Sequence, residues 1–406
     1  MSGKLRVGFL HPEMGIGGAE QLVINFMSAL TRKGHSTTLY TGKFDPSNSF
    51  SALSDGALPM KVVGGWIPST FLRRFKALLA YIKMVYIAIY VLLFEPRKDV
   101  YVVDQVSFVV PLLRLSRARI VFYCHFPDKA QCSDRGSVLR RIYRTVLDFL
   151  EETSTGASDL ILVNSRFTKA AFFSNFPRLK ARNLDPQVLY PPTDFKAFAQ
   201  PSDTPLVWAP NRFFLSLNRF ESKKNVQLAL KAYHRFKNAN PEASEKLVVA
   251  GGLNPSSPDS VACYQELNSL AKKLSIRNDV VFRTNLSEEE RLSVLAKAVA
   301  VLYTPHGEHF GIVPVESMFL ETPVIACSDG GPTESVLHEQ TGFLLDEELQ
   351  VWAEKMKILA SDPQLRLKFG QRGKEHVQNL FGIEKFADDA EKLIAGLLRK
   401  ETKKLR

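Results

Sequence analysis

Short apolar runs recur along this chain of 406 residues, and each is followed by loop or helix-forming sequence. Runs of this kind, bounded by turn residues, are typical of buried parallel strands, because helices cover both faces of such strands. The alternation therefore predicts an α/β fold with doubly wound parallel sheets. The runs predicted as strands lie at residues 5–10, 37–40, 100–103, 120–123, 160–163, 213–217, 247–249, 280–282, 300–303 and 323–326.

Prolines are concentrated in the middle of the chain, where they separate two series of predicted strands. A segment so rich in proline cannot continue a helix or a central strand, so it is predicted as a linker between domains. The predicted organisation is a first Rossmann-like domain over 1–200, a second over 201–385, and a terminal helix with a basic tail over 386–406. The prolines concerned are Pro191, Pro192, Pro201, Pro205 and Pro210.

The charge balance and the cysteine content narrow the functional class. Lys and Arg outnumber Asp and Glu by 53 to 42, a surplus of +11 that can attract phosphates, nucleic acid or an anionic membrane. No nucleic-acid-binding module accompanies this charge, so nucleic acid is not expected as a partner. The 4 cysteines form no C-x-x-C pair, which excludes a disulfide framework or a zinc module and favours a reducing compartment. The N-terminal sequence lacks a signal-peptide pattern, so secretion by that route is not expected.

One segment, Ala77–Phe94, departs from the pattern because its 18 residues are almost entirely apolar, with Lys83 as the one charge. As a helix it would extend roughly 27 Å, just short of a hydrocarbon core of about 30 Å. It is either a core helix of the first domain or a helix that lies in or dips into a bilayer, and we favour the second interpretation. The predicted membrane-associated segment is 73–96, and the basic tail 397–406 would also suit an anionic surface. Basic and aromatic residues that could anchor the segment are Arg73, Arg74, Lys76, Tyr81, Tyr86 and Tyr90.

A glycine loop follows the first predicted strand and precedes a helical stretch at 22–30. Gly15, Gly17 and Gly18 would let the backbone approach an anion closely, at the N-terminus of a helix where N–H groups are free. The spacing differs from G-x-G-x-x-G, since Gln21 stands at the last glycine position, and no G-x-x-x-x-G-K-[ST] motif occurs. The loop is therefore either an anion-binding loop or only a tight turn, and a P-loop nucleotide triphosphatase is not expected.

Residues 304–319 carry the strongest chemical signal, because two glutamates flank a His-Phe-Gly turn after an apolar strand. Glu308 is predicted in the loop and Glu316 on the following helix, near the carboxyl end of a strand, where doubly wound folds bind ligands. Ionised glutamates accept hydrogen bonds strongly, which suits the hydroxyl groups of a sugar and of a ribose. A phosphate could be held by the backbone N–H groups of Phe310, Gly311 and Ile312.

Cations and a histidine follow other predicted strands. Arg219 and Lys224 come directly after the strand at 213–217, where they could neutralise a departing diphosphate, with the guanidinium binding bidentately. Such a leaving group carries two negative charges that need compensation in the transition state. His125 follows the strand at 120–123 and is either a packed strand-end residue or a group that faces a cleft between the domains.

Together these motifs resemble those of the retaining glycosyltransferases of family 4, which have the GT-B fold of two Rossmann-like domains facing a cleft. The resemblance rests on the Gly-Gly-Ala-Glu sequence that ends at Glu20, on Arg219 with Lys224, and on Glu308 with Glu316. Further motifs are similar to those of the α-1,3/1,6-mannosyltransferases of dolichol-linked oligosaccharide assembly. Within residues 3–345 these motifs lie at 11–20, 103–107, 122–128, 162–165, 308–314 and 330–334.

The resemblance implies a reaction and assigns roles to residues. Mannose would pass from GDP-mannose to mannosyl-chitobiosyl-diphosphodolichol, first in α-1,3 and then in α-1,6 linkage, at the cytosolic face of the endoplasmic reticulum membrane. Arg219 and Lys224 would bind the donor diphosphate. Glu308 would bind the mannose and Glu316 the ribose, while His125 would lie near the reacting centre. The other implied donor-binding positions are Gly17, Gly18, Phe310, Gly311 and Ile312, with guanine near residues 283–286.

The resemblance also bears on cofactors. Retention in this family is usually ascribed to front-face attack, in which the departing phosphate helps to deprotonate the incoming hydroxyl, so the paired carboxylates of retaining glycosidases are not needed. The chain contains no Asp-x-Asp motif. Because Arg219 and Lys224 can supply the positive charge of a divalent ion, no catalytic metal and no other cofactor are expected.

Two alternative functions stay open at this point. One is another membrane-associated family 4 enzyme with a different donor or lipid acceptor, and the other is a non-transferase GT-B protein, such as an epimerase or an inactive partner subunit. The expected partners are GDP-mannose, a dolichol-linked oligosaccharide and a membrane surface. Assembly into a homo-oligomer or with other mannosyltransferases is a further possibility.

Overall fold

Two compact units make up the chain. The first comprises Met1–Pro192 together with Ile383–Arg406, and the second comprises Thr193–Gly382. The sequence predicts a boundary after residue 200 and a separate terminal segment, whereas the division falls after Pro192 and the end of the chain belongs to the first unit. The residues that this computed structural model describes are 4–46, 50, 53, 55–68, 76–131, 138–196, 198 and 206–402.

The first unit contains a 7-stranded parallel sheet. Its strands are β1 Arg6–His11, β2 Ser36–Thr41, β3 Met60–Val62, β4 Val100–Asp104, β5 Arg119–Cys124, β6 Leu160–Val163 and β7 Gln187–Val188. They lie in the order β3-β2-β1-β4-β5-β6-β7. Every strand predicted from an apolar run in this unit is present. The sequence missed β3 and β7, which have 3 and 2 residues and are too short to form a recognisable run.

Helices cover both faces of this sheet. They are α1 Gly18–Arg32, α2 Lys76–Phe94, α3 Val110–Leu113, α4 Asp128–Gln131, α5 Val138–Thr155, α6 Arg166–Asn175, α7 Pro177–Ala181 and α15 Ile383–Thr402. On one face, α1 and α15 pack against strand residues such as Phe9 and Val102. On the other face, α2, α3, α6 and α7 pack against their neighbours Leu10 and Val103. The side chains of successive strand residues thus point to opposite faces of the sheet, as the pleat of a strand requires.

The final helix completes the core of the first unit. Phe386 of α15 contacts Phe26 of α1 edge to face, with ring centroids 5.0 Å apart. Ile383, Ala390 and Ile394 are buried in the same core. These apolar residues recur at helical spacing, so α15 is an amphipathic helix that packs where an apolar surface is available. The predicted basic tail ends in residues 403–406, which lie outside the described residues.

α2 contains the apolar segment that the sequence singles out. It has features of both predicted structures, a core helix and a helix at a bilayer. Met84, Ile87 and Val91 are buried against the sheet. Only 28% of the segment Ala77–Phe94 is buried, so the opposite face is exposed. Within the described part of the chain, α2 is the one helix whose length and composition would allow it to cross a membrane. It is a core helix on one side and an exposed apolar surface on the other.

The single charge of that segment points into the protein. Lys83 is fully buried and forms an ion pair with Glu13, at the start of the glycine loop. A buried ammonium needs such a partner, so this contact determines which face of α2 is turned inward. The basic residues Arg73 and Arg74 predicted to flank the segment lie outside the described residues.

The second unit contains a 6-stranded parallel sheet in the order β10-β9-β8-β11-β12-β13. The strands are β8 Phe213–Leu217, β9 Lys246–Gly251, β10 Val280–Thr284, β11 Ala300–Tyr303, β12 Val324–Cys327 and β13 Gly342–Leu345. The helices are α8 Val226–Ala239, α9 Pro258–Lys273, α10 Glu288–Lys297, α11 Ile312–Phe319, α12 Pro332–Ser335, α13 Leu349–Ser361 and α14 Pro363–Phe381. The core beneath them includes the fully buried Trp352. Among the strands found in the described residues of this unit, the sequence missed β13, which begins with a glycine.

Each sheet has one place where the strand order reverses. This switch point lies between β1 and β4 in the first unit and between β8 and β11 in the second. Open α/β sheets bind ligands outside the carboxyl ends of the strands at such a point. His11 and Asp104 end the two strands of the first switch point. Asn218 and Thr304 directly follow the two strands of the second.

Candidate active site

Lys224 and Glu308 form an ion pair at the switch point of the second unit. Lys224 ends a short 3-10 turn after β8, and Glu308 lies in the loop after β11. Their side chains are 12% and 21% exposed. Burial alone would raise the pKa of Glu308, but the charge and the hydrogen bond of Lys224 outweigh it, and the pKa lies below its ordinary value. Glu308 is therefore an ionised acceptor with a lysine as its counter-ion.

The loop that carries Glu308 is held by a glycine turn. The N–H group of Gly331 donates to the carbonyl oxygen of Glu308 at 2.7 Å. Gly330 has a φ of +66°, and a Cβ there would lie 2.5 Å from that carbonyl oxygen. A Cβ on Gly331 would lie 2.2 Å from the carbonyl oxygen of Phe310. Only glycine allows this close approach, which explains why the motif at 330–334 begins with two glycines.

The same loop is anchored from two further strands. His306 Nε2 lies 2.6 Å from a carboxylate oxygen of Glu347, which follows β13. Asp329, which follows β12, accepts a hydrogen bond from the N–H group of Gly307 at 2.8 Å. These carboxylates escaped the sequence reasoning, because nothing in the sequence relates them to a loop that begins at Thr304.

Glu316 lies on α11 and pairs with Arg291 of α10. Burial raises the pKa of Glu316 above its ordinary value, although the charge and hydrogen bond of Arg291 oppose it. Arg291 also contacts Glu288 at 2.6 Å. Burial lowers the pKa of Arg291, but the two carboxylates outweigh it and raise that pKa. The predicted ribose-binding carboxylate thus has an arginine beside it that no sequence pattern indicates.

Tyr303, at the end of β11, is the residue around which the predicted donor-binding groups are arranged. Its side chain is buried, and its pKa is raised by burial first, with additional contributions from Glu308 and Glu316. Arg219 is near enough to oppose that shift. A Cβ on Gly311 would lie 3.2 Å from the Tyr303 hydroxyl oxygen. The sequence signals that could identify Tyr303 are its aromatic character and its place at the end of a strand before the loop.

Gly311 and Ile312 form the start of α11 as predicted. Gly311 has a φ of +82° and is the residue before the helix, which begins at Ile312. The side chain of Phe310 is buried and contacts Phe381 with ring centroids 5.3 Å apart. A helix that follows a parallel strand begins at the carboxyl edge of the sheet, so its first backbone N–H groups lie on the same edge as Glu308. Their role in phosphate binding stays a prediction.

Arg219 is far more exposed than Lys224. Its side chain is 65% exposed, and its guanidinium lies 2.9 Å from Glu221. Lys223, also joined to Glu221, is 70% exposed. Arg219 is thus held at the surface beside the switch point, whereas Lys224 is enclosed with Glu308.

A buried carboxylate lies between two histidines at the switch point of the first unit. Asp104 Oδ2 is hydrogen-bonded to His11 Nδ1 at 2.7 Å. The other oxygen, Oδ1, lies 2.7 Å from His125 Nε2. His11 is fully enclosed and Asp104 almost so, whereas 22% of the His125 side chain is exposed. The ring of His125 is therefore oriented by Asp104 and keeps one part at the surface.

The charges of this cluster support one another. Burial lowers the pKa of His11, but Asp104 and Glu20 outweigh it and raise the pKa to about 9. Burial raises the pKa of Asp104, but His125 and His11 outweigh it and place the pKa below its ordinary value. Glu20 lies on the first turn of α1, and its Oε1 is 3.9 Å from His11 Nε2. His11 is thus a buried cation with a carboxylate on each side.

The predicted glycine loop lies next to this cluster. Gly17 is the extended residue before α1, and Gly18 is the first residue of the helix. A Cβ on Gly17 would lie 2.4 Å from Glu20 Oε2. Gly17 therefore leaves room for the carboxylate that approaches His11. Whether Gly17 and Gly18 also approach a ligand stays a prediction.

In the predicted guanine region, Arg283 contacts an aromatic ring and a carboxylate. The guanidinium of Arg283 lies over the ring of Trp208, 4.8 Å from its centroid. Glu290 accepts a hydrogen bond from Trp208 Nε1 at 2.9 Å and lies 3.6 Å from Arg283. The position of guanine stays a prediction. Over the described residues, no group of 3 or more His, Cys, Asp or Glu side chains is placed to hold a metal ion.

Comparison with known proteins identifies the family. Family models described as "Glycosyltransferase Family 4" and "Glycosyl transferases group 1" match residues 16–194 and 206–376. The chain is 39% identical to "Alpha-1,3/1,6-mannosyltransferase ALG2" of Homo sapiens over an alignment of 407 positions, which covers 97% of each chain. The protein of that name in Rhizomucor pusillus is 38% identical over an alignment of 425 positions, which covers 98% of this chain and 92% of that protein. The chain belongs to the ALG2 mannosyltransferase family.

Membership of this family confirms the resemblance predicted from the motifs. Among solved structures, a sucrose-phosphate synthase from Thermosynechococcus elongatus has a TM-score of 0.76 at 20% identity, with 98% of this chain and 100% of that chain covered. Alr3699/HepE of Anabaena, in complex with UDP and glucose, has a TM-score of 0.72 at 18% identity, with 97% and 100% covered. At such identity the likeness concerns the fold alone, and it confirms the predicted GT-B fold of two Rossmann-like domains.

Two parts of the site could have been recognised by topology. His11 and Asp104 end strands that are neighbours at a switch point, so a prediction of strand order would have brought them together. Tyr303 ends β11 at the other switch point. The pairing of Arg291 with Glu316 has no such signal, because it depends on how two helices pack.

Proposed function

We propose that this mannosyltransferase moves mannose from GDP-mannose to mannosyl-chitobiosyl-diphosphodolichol, first in α-1,3 and then in α-1,6 linkage, with retention at the anomeric carbon. The names of the relatives support the sugar and both linkages. The observation that carries the chemistry is the pair of Lys224 and Glu308 at a switch point. It combines a cation suited to a diphosphate with an ionised acceptor suited to sugar hydroxyls.

Donor binding exchanges the partner of Lys224. The diphosphate takes the place of Glu308 as the anion beside Lys224, and Glu308 then accepts hydrogen bonds from the mannose hydroxyls. Arg219, exposed after the same strand, adds a second cation that can bind two phosphate oxygens at once. The first backbone N–H groups of α11, from Phe310 to Ile312, contribute to the same anion site. Glu316, oriented by Arg291, accepts hydrogen bonds from the ribose.

Transfer proceeds at one face of the sugar. The bond between mannose C1 and the phosphate oxygen breaks, and the acceptor hydroxyl oxygen forms its bond to C1 on the face that the phosphate leaves. The hydroxyl proton passes to the departing phosphate oxygen, so GDP is released and no protein carboxylate acts as a nucleophile. Lys224 and Arg219 stabilise the charge that develops on the diphosphate.

His125 is the residue of the first unit assigned to the reaction. We assign its exposed part to contact with substrate, while Asp104 holds the ring from the other side. Because Asp104 also binds the positively charged His11, it stays ionised and keeps its hold on His125 over a wide pH range.

The acceptor determines where the enzyme works. A dolichol-linked acceptor stays in the endoplasmic reticulum membrane, so both units act at its cytosolic face, where GDP-mannose is supplied. The exposed apolar face of α2 supports this location. No catalytic metal is required in this proposal, because Arg219 and Lys224 supply the positive charge at the diphosphate.

The proposal is tested with purified full-length chain, labelled GDP-mannose and a detergent-dispersed mannosyl-chitobiosyl lipid diphosphate. The expected products carry one and then two added mannoses, and digestion with linkage-specific mannosidases identifies α-1,3 before α-1,6. Parallel reactions with UDP-sugars test donor choice. Transfer from a UDP-sugar but not from GDP-mannose, or release of free mannose without transfer, would contradict the proposal.

A further inference from the structure

Helix α5 has its apolar face turned outward, which is the reverse of a core helix. Exposed and buried positions alternate at helical spacing, so one continuous face is at the surface. That face carries large apolar side chains, whereas Arg144, Asp148, Glu151 and Glu152 of the same helix are buried. The exposed apolar residues, with their exposed fractions, are Val138 (62%), Ile142 (59%), Val146 (52%) and Phe149 (48%).

The inward charges fix this orientation. Arg144 is buried and binds Asp128 at 2.9 Å and Asp148 at 3.0 Å. Glu151 accepts hydrogen bonds from the backbone N–H groups of Asp128 and Lys129, at the start of α4. Glu152 accepts one from the N–H group of Arg178, near the start of α7, at 2.7 Å. Because α5 caps two neighbouring helices through these contacts, it cannot rotate to bury its apolar face.

The exposed faces of α5 and α2 belong to the same layer of the first unit. Both helices pack against the segment 107–113: Tyr81 of α2 contacts Phe108 with ring centroids 5.2 Å apart. From the other side, Ser154 of α5 hydrogen-bonds Ser107 at 2.8 Å. The outer face of α2 also exposes apolar side chains, with exposed fractions from 39% to 69%. They are Leu78, Ile82, Tyr86, Ile89, Leu93 and Phe94.

Cations border this apolar surface. Arg141 is exposed on α5 itself, and Arg178 lies over the ring of Phe149, 4.9 Å from its centroid. The side chain of Arg114, on the turn after α3, is 51% exposed. Among the carboxylates of α5, Asp148, Glu151 and Glu152 are buried. Further exposed cations in this layer are Arg117, Lys180 and Arg182.

The apolar side chains and the cations around them indicate what binds to this surface. An apolar helix face bordered by exposed arginines fits the boundary between acyl chains and anionic headgroups of a bilayer. A second copy of the chain is a poor occupant, because a symmetric contact would place the two sets of cations against each other.

We propose that α5 lies in the plane of an anionic phospholipid surface, beside the outer face of α2, and is a membrane-binding element of the first unit. The inference deepens the proposed function, since a lipid-linked acceptor has to be reached at a membrane. The two helices together would give the first unit a broad contact with the bilayer rather than a single anchoring point.

The experiment is flotation of the full-length chain with vesicles of phosphatidylcholine, with and without phosphatidylserine. The triple variant Ile142→Ser, Val146→Ser, Phe149→Ser should bind vesicles at least about tenfold more weakly than the unchanged chain, because three partly buried apolar side chains are lost from the bilayer. The matched control is Ile358→Ser, Leu367→Ser, Leu380→Ser in the second unit, which also removes three exposed apolar side chains, 37%, 50% and 39% exposed in that order. The control should bind as the unchanged chain does.

A single variant covers the case in which the triple variant folds poorly. Arg141→Gln should weaken binding about fivefold to vesicles that contain phosphatidylserine and leave binding to phosphatidylcholine unchanged. Equal vesicle binding by the Arg141 variant and the unchanged chain would overturn the proposal. So would a triple variant that keeps its vesicle binding but sediments as a smaller species, since α5 would then contact another protein molecule.

The outcome can be separated from that of the proposed function. The triple variant should transfer mannose to a detergent-dispersed acceptor as fast as the unchanged chain, because its substitutions lie outside the donor site. If the unchanged chain transfers no mannose, the proposed function fails, while the loss of vesicle binding still decides the role of α5.

Discussion

The two sheets end in charged clusters of opposite character. In the first unit, Asp104 is enclosed between two histidines, and 2% of its side chain is exposed. In the second, Lys224 and Glu308 keep 12% and 21% of their side chains exposed. An enclosed cluster keeps its geometry whether or not substrate is bound, whereas a partly open ion pair can exchange its partner for an anionic ligand. The first cluster is therefore suited to positioning, and the second to binding charge.

Substitution in the partly open ion pair of Lys224 and Glu308 should give the largest effect on activity. Lys224→Met is expected to lower kcat about 10²–10³-fold, because the diphosphate loses its enclosed cation in the transition state. Transfer from labelled GDP-mannose measures the effect. The matched control is Lys223→Met, whose side chain is 70% exposed and joined to Glu221. The control should change kcat less than about twofold. Equal losses in the two variants would remove Lys224 from the donor site.

The enclosed cluster should give the largest effect on stability. Asp104→Asn is expected to lower the free energy of unfolding by about 3–5 kcal/mol, because the buried cation of His11 loses the nearer of its two carboxylate partners. Urea denaturation measures the change. Asp99→Asn is the control, since Asp99 is 34% exposed and paired with Arg6 at the surface. It should lower the free energy by only about 1 kcal/mol. A similar loss in both variants would mean that the enclosure of Asp104 has no special importance.

Titration separates the two clusters further. A pKa of about 9 for His11, against an ordinary 6.5, means that its charged form stabilises the first unit. This contribution is complete below pH 6.5 and is lost as the pH rises through 9. Asp104, with a lowered pKa, loses its own contribution only as the pH falls below its ordinary 3.8. The unfolding temperature should therefore decline between pH 6.5 and 9, and less steeply in His11→Gln. Parallel declines would contradict the assignment.

A smaller effect is expected at the second ion pair of the donor site. Glu316→Gln should raise the KM for GDP-mannose about tenfold with a smaller change in kcat, because the ribose loses a charged acceptor. Glu288→Gln is the matched control: it contacts the same arginine, Arg291, but its side chain is 68% exposed. Its KM should stay within about twofold of the original value. If both variants raise KM equally, Glu316 acts only by holding Arg291.

The smallest effect should come from chelation. With Lys224 and Arg219 at the diphosphate, EDTA is expected to change the transfer rate of purified protein less than about twofold. A rate that falls on chelation and returns with added Mg²⁺ or Mn²⁺ would show that the two cations do not suffice.

The sequence was informative where chemistry and position coincide along the chain. Apolar runs located the predicted strands, and Lys224 and Glu308 were recognised because each follows such a run. Contacts between distant segments were not recognised. His11 and Asp104 are separated by 93 positions, and only strand order brings them together. The short strands β3 and β7 pass unnoticed because their apolar content is too small.

Amphipathic helices show another limit of sequence reasoning. The periodicity of α5 identifies an apolar face and a charged face, and the usual rule places the apolar face inward. The structure does the reverse, because Glu151 and Glu152 bind the first backbone N–H groups of α4 and α7. For α15 the rule holds, but the sequence does not say which unit it joins.

The return of α15 to the first unit has a consequence for synthesis of the chain. During translation the first sheet leaves the ribosome early, but the apolar face of α1 that receives Phe386 stays uncovered. Thr193–Gly382 must be made before that residue emerges. At about 5–20 residues per second this delay lasts roughly 10–40 s, and the core of the first unit stays incomplete throughout it. A chain stopped after Gly382 would thus release a complete second unit attached to an unfinished first one, and chaperones would be expected to bind the uncovered face of α1.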